Sequence, residues 1–294
     1  MMKAMGRSLA VILSLTGLVS PAFSGEAKGS LQRLKEMHQT LMDLNRVFSI
    51  SATLAELKQL EKTIPAGDSE ARGELNYLRG FVLYRADRPA EALPPSLEAL
   101  RIDTAIPFLP DRERTRLIYN IAFQAEAIGD WRTAIDHYRK AMPLFDASSE
   151  YSEDQRLGLR ERFAYCLHEA GRYSEALALN MQVLAGGEKL FGLESNKFFT
   201  VLTNLAQNAY VLGDLSTAQG YLERLLAIAT KHDDRDQINT ALFQLGVLSF
   251  EQGRFEKAEA FMKRRLALAE KSGVSDRIAD AKEDLEILYT KMKR

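Results

Sequence analysis

Gly171-Arg172-Tyr173-Ser174-Glu175-Ala176 is flanked at equal distances by two phrases built the same way, Gly129-Asp130-Trp131-Arg132-Thr133-Ala134 before it and Gly213-Asp214-Leu215-Ser216-Thr217-Ala218 after it. The three alanines stand 42 residues apart. Two looser copies extend the series, Asp87-Arg88-Pro89-Ala90-Glu91-Ala92 at a step of 42 and Gly253-Arg254-Phe255-Glu256-Lys257-Ala258 at a step of 40. A period of this length marks one supersecondary unit, which can bury its apolar face only against neighbouring copies. Each phrase reads as the joint of a helical hairpin. Glycine supplies the positive φ that ends the first helix, and the residues after it open the second. The alanine five residues on must be small, because the two helices cross there.

The flanks agree with this reading. Upstream of the joints, Ile118, Ile121, Ala122 and Ala125 recur as Leu202, Leu205, Ala206 and Ala209, and again as Leu242, Leu245 and Gly246, at the i, i+3, i+4, i+7 spacing of one helix face. Downstream, Ala134, Tyr138 and Ala141 keep one face of the second helix apolar. The sequence therefore predicts an all-α chain with five hairpins over residues 68–272. Residues 25–67 read as an N-terminal helical cap, with helices over Leu31–Val47 and Ser51–Ile64, and residues 273–294 as a C-terminal capping helix opened by Ser275. Pro94-Pro95 falls within the second helix of the first hairpin and predicts a kink or a late start there, and Pro143 a bend in the next hairpin.

Residues 1–24 differ from the rest. Lys3 and Arg7 precede a nearly all-apolar run from Leu9 to Val19, and Pro21-Ala22-Phe23-Ser24 ends it in small residues. This is the pattern of a secretory signal peptide cleaved after Ser24, so a periplasmic or secreted protein with no integral membrane segment is expected. The 39 basic and 40 acidic residues nearly cancel, and without Lys3 and Arg7 a small acidic excess remains, which recruits no nucleic acid. With 46% hydrophobic residues and a single cysteine, Cys166, the fold must be held by packing and not by an internal disulfide. No catalytic, metal or cofactor site is expected. His38, His137, His168 and His232 lie in separate segments without ligand spacing, and Cys166 and His168 point about 200° apart on one helix. The acidic run at His232-Asp233-Asp234-Arg235-Asp236 lacks the ligand order of a calcium loop, and Lys263-Arg264-Arg265 sits among glutamates that suit surface ion pairs.

Leu245-Gly246, Thr203-Asn204-Leu205-Ala206 and the stretch YLERLLAIAT from Tyr221 to Thr230 resemble the tetratricopeptide-repeat family, and the 42-residue step is similar to the lengthened repeats of kinesin light chain. The family's first-helix tryptophan is missing, and Trp131 opens a second helix instead. The resemblance covers roughly residues 70–272. It implies a right-handed superhelix, or α-solenoid, whose first helices line a concave groove that binds a peptide or partner protein. On that face a second stripe recurs, centred roughly 115° from the core stripe. It reads Tyr77, Phe81, Tyr84; then Tyr119, Phe123, Glu126; then Glu161, Tyr165, His168; then Thr203, Gln207, Tyr210; then Phe243, Val247, Phe250. The rings serve either as ligand contacts or as packing between neighbouring first helices. Asn120 and Asn204, with Gln244 at the matching place, are similar to the amide that hydrogen-bonds a ligand backbone in peptide-binding relatives. Asn120 and Arg162 match two members of the family's carboxylate clamp, while Tyr77, Phe81 and Gly158 replace the others. The expectation is a non-enzymatic adaptor or scaffold. The alternative is an inhibitor or immunity-type protein that neutralises an exported protein, or a non-catalytic subunit of an envelope complex. Nothing in the sequence sets an oligomeric state.

Overall fold

The computed structural model describes residues 29–43 and 47–292, which form thirteen α-helices and one short 3-10 turn, with no strand among the described residues. Two helices come first, α1 (Ser30–Met42) and α2 (Ile50–Glu61). Five hairpins come next: α3 (Ser69–Arg85) with α4 (Pro89–Ala105), α5 (Asp111–Ala127) with α6 (Trp131–Ala147), α7 (Glu153–Glu169) with α8 (Tyr173–Phe191), α9 (Phe199–Val211) with α10 (Leu215–Lys231), and α11 (Arg235–Glu251) with α12 (Phe255–Ser272). A last helix, α13 (Ser275–Met292), closes the series. Each second helix packs on its own first helix and on the first helix of the next hairpin, and the buried core follows the stack as three successive clusters, Leu34 to Leu179, Val183 to Leu248 and Ala258 to Leu288. Both α1 and α2 lie on α3, and α13 lies on α12, where Arg265 pairs with Asp284. The proposed leader, residues 1–24, lies outside the described residues.

The joints are built as their residues require. Gly129, Gly171, Gly213 and Gly253 have φ between 71° and 82°, and Asp87 takes the same place at 56°. The second helices start in two ways, set by the residue after the joint. Asp130 and Asp214 accept the backbone N–H of Thr133 and Thr217, whereas Arg88 and Arg172 make no cap and pair instead with Glu91 and Glu175. The crossing alanines Ala92, Ala134, Ala176, Ala218 and Ala258 are at most 1% exposed.

Each crossing has a second small residue, on the first helix: Gly80, Ala122, Ala164, Ala206 and Gly246. A Cβ at Gly80 would collide with Ser96 Oγ and stand 3.2 Å from the Ser96 backbone nitrogen, but one at Gly246 would meet the flexible tip of Met262, 2.6 Å from its methyl carbon. Alanine is a better helix former than glycine by about 1 kcal/mol. Gly80→Ala is nevertheless expected to lower stability, by roughly 1 to 3 kcal/mol, because backbone cannot give way. Gly246→Ala should be near neutral or stabilising. Equal melting shifts for the two would contradict this account of the crossings.

Three local expectations are corrected. Helix α1 stops at Met42 and not Val47, since Asp43 is extended at φ −74°, ψ 104°. Helix α2 ends at Glu61, short of Ile64. Helix α4 does not start late: it begins at Pro89 and continues through Pro94 and Pro95. The carbonyls those prolines leave unbonded belong to Ala90 and Glu91, both exposed residues in the first turn. Helix α6 includes Pro143 and runs to Ala147.

Candidate binding groove

Helices α3, α5 and α7, with the end of α6 and the α6–α7 joint, wall a cleft of about 420 Å³. Phe81, Tyr84, Tyr119 and Asn120 line it as their register suggested, together with Gly158 and Arg162. A side chain at Gly158 would meet only open space, so the glycine leaves the cleft wide on the α7 side. The lining also includes residues the repeat pattern did not single out: Met42, Arg85, Arg116, Phe145, Tyr151, Gln155 and Leu159. Phe145 and Tyr151 stack with ring centroids 3.7 Å apart and planes 9° from parallel, and Tyr119 sits 5.4 Å from Phe145. Asn120 is half-buried, and its side chain takes no hydrogen bond from the described residues, so the amide stays available.

Beneath this lining the charges are fixed. Glu126 accepts from Arg162 at 2.8 Å and from the Tyr138 hydroxyl at 2.5 Å, and the Arg162 guanidinium lies 4.4 Å above the Phe123 ring. Burial pushes the Tyr119 and Tyr138 hydroxyls above their usual titration range, so both stay neutral. Phe123 and Glu126 therefore position Arg162 without lining the cleft themselves.

A second, smaller cleft of about 210 Å³ lies between α9 and α11, over Ala218 and Leu222 of α10. Gln207 and Tyr210 line it with Phe243, Gln244 and Val247, the same stripe register three repeats further along. The Tyr210 hydroxyl donates to Glu251 at 2.6 Å, and the buried Oε1 of Gln244 has no partner.

The remaining stripe residues are placed elsewhere. Tyr77 is corrected outright: it is 4% exposed beneath α1, with its ring 4.9 Å from His38 and its hydroxyl on Met42 Sδ, because α1 covers the part of α3 that carries it. His168 is spent on packing, with Nδ1 2.8 Å from Asn208 Oδ1 on α9 and its ring edge-on to Tyr173. Tyr165 is 40% exposed but lies edge-on to Trp131 at 5.9 Å, and neither it nor Asn204 lines a cleft. Tyr84 and Phe123 meet edge to face at 5.7 Å, so packing between neighbouring first helices holds for some rings and cleft lining for others. Cys166 is fully buried, and burial pushes its thiol above the ordinary range, the reverse of what activates a nucleophile.

Glu161, on the same stripe, makes no ion pair among the described residues. Burial raises its pKa above 4.5, partly offset by the Arg162 charge. The raised value means the fold holds the protonated carboxyl better than the ionised one, so stability falls as pH climbs from below 4.5 through the shifted pKa. Glu161→Gln is therefore expected to melt higher than the parent at neutral pH, and the gain should vanish in paired melts run below pH 4.5. A gain that persists undiminished in acid would rule out this origin.

Stacked antiparallel hairpins, a small residue on each side of every crossing and a left-handed joint residue between the helices define an α-solenoid of the tetratricopeptide-repeat type. Residues 197–271 match the family model of the tetratricopeptide repeat. No curated protein matches the chain. Among solved structures, a putative kinesin light chain of Podosopora anserina with nearly identical repeats is 17% identical, covering 69% of this chain and 99% of that one at a TM-score of 0.55. The apo form of RapI is 14% identical over 86% of this chain and 76% of that one, at a TM-score of 0.60. The apo form of the quorum sensor NprR from B. thuringiensis is 18% identical over 88% and 68%, at 0.50. At such identities the likeness establishes the fold.

Proposed function

We propose that the chain is an exported, non-catalytic binding module that holds an extended segment of a partner polypeptide along its first helices, as an adaptor or scaffold. The observation that carries this reading is the aromatic cleft across α3, α5 and α7 with the unbonded Asn120 amide in its wall. Rings give contact area at low entropic cost, and a free amide can pair with a peptide backbone whatever its side chains. The tetratricopeptide-type fold, shared with a quorum sensor, supports a recognition role. Export rests on the leader pattern of residues 1–24; among the described residues no helix is long and apolar enough to cross a membrane.

The test is site-directed photo-crosslinking in the native cell. A crosslinker at Tyr84, in the cleft, should capture a partner, and one at exposed Ala90 should not. Capture at Ala90 alone would place the binding surface elsewhere. N-terminal sequencing should find the mature chain starting at Gly25 outside the cytoplasm, and a cytoplasmic species retaining Met1 would overturn export.

A further inference from the structure

We infer that the segment bound in the first cleft presents a side-chain carboxylate to Arg85 and Arg116. The inference rests on the groove reading above and adds the chemistry of the ligand. The cleft lining carries three guanidinium groups, those of Arg85, Arg116 and Arg162, and no carboxylate. Arg162 is already matched by Glu126. Arg85 and Arg116 make no ion pair among the described residues, although the other arginines on the first turns of α5 do: Arg112 with Glu150 at 3.0 Å and Arg114 with Asp103. Two guanidinium groups without an ion pair thus converge on one cleft whose lining holds no acid. Arg116 is half-buried in this aromatic lining, where an ion pair is screened less than on open surface, while Arg85 is exposed.

A side chain is favoured over a chain terminus by the second cleft. It lies three repeats along at the same stripe register and is lined by apolar groups, two amides and the Tyr210 ring, without a basic residue. A segment that reaches both clefts runs on past the arginines. The fitting occupant is therefore an acidic residue within an extended polypeptide, its backbone within reach of Asn120.

The experiment pans a displayed random 12-residue peptide library, with every displayed C-terminus blocked by fusion, against the full chain and its R85Q/R116Q double variant. The wild type should enrich Asp and Glu. The selected peptides should bind the double variant about tenfold or more weakly at low salt, with a smaller ratio at high salt, while the variant melts like the parent. Selection of peptides without acidic enrichment, which bind both proteins equally but are lost with Tyr119→Ala, would overturn the charge inference and leave the groove reading standing. Acidic peptides held equally well by the double variant would also overturn it. Failure to select any peptide would sink the groove reading and this inference together.

Discussion

Tyr138→Ala is expected to cost about 3 to 5 kcal/mol, more than a substitution at any of the helix crossings. Tyr138 is fully buried at the junction of the second and third hairpins. Its ring stacks on Phe163 with centroids 6.3 Å apart and meets Tyr119 edge-on at 5.9 Å, while its hydroxyl donates to Glu126. Truncation leaves a cavity between repeats and removes one of the two groups that hold Glu126 in place. Tyr138→Phe keeps the ring and should cost only about 1 kcal/mol, the usual net value of one hydrogen bond, with Arg162 still compensating the carboxylate. Because a solenoid is coupled through nearest neighbours, Tyr138→Ala should also split urea unfolding into two steps as the junction weakens. A loss below about 1 kcal/mol would mean the site collapses around the smaller side chain, contrary to the close packing described.

Ala176→Leu and Ala218→Leu are expected to destabilise by about 1 to 3 kcal/mol, and Ala90→Leu by almost nothing. Ala176 and Ala218 are 0% and 1% exposed at the helix crossings, whereas Ala90 is exposed on the first turn of α4. The three belong to copies of the same phrase, but Ala90 is two residues short of the crossing position held by Ala92. Thermal melts decide the matter, and equal shifts at all three would mean that the repeat register is misassigned.

The crossing alanines, the left-handed joint glycines and the five hairpins were all legible in the sequence because each is a local constraint repeated at a fixed step. A positive φ needs glycine at one point, and a helix crossing needs a small residue at another. The candidate groove was legible only in part. Tyr77 and Tyr119 occupy the same register, yet one is sealed under α1 and the other lines a cleft. Periodicity gives the angle at which a side chain leaves its helix axis. It does not say what stands opposite.

The amino-acid sequence by itself therefore determined the helical class, the number of hairpins, their joints and the face that each helix buries, since those depend on spacing along a single chain. Only the tertiary structure decided where an opening remains. Phe145 and Tyr151 come from the end of α6 and the joint after it, Arg85 from the last turn of α3 and Arg116 from α5, and no repeat register relates them. They meet because successive hairpins stack, and the bare Gly158 leaves room between the helices that carry them. The charge of that opening was equally hidden. Asp103, buried in α4, takes Arg114, Glu150 takes Arg112, and Arg116 on the same helix is left facing the cleft. Which arginine stays uncompensated depends on acids brought near by folding, a property of neighbours in space and not of spacing in sequence.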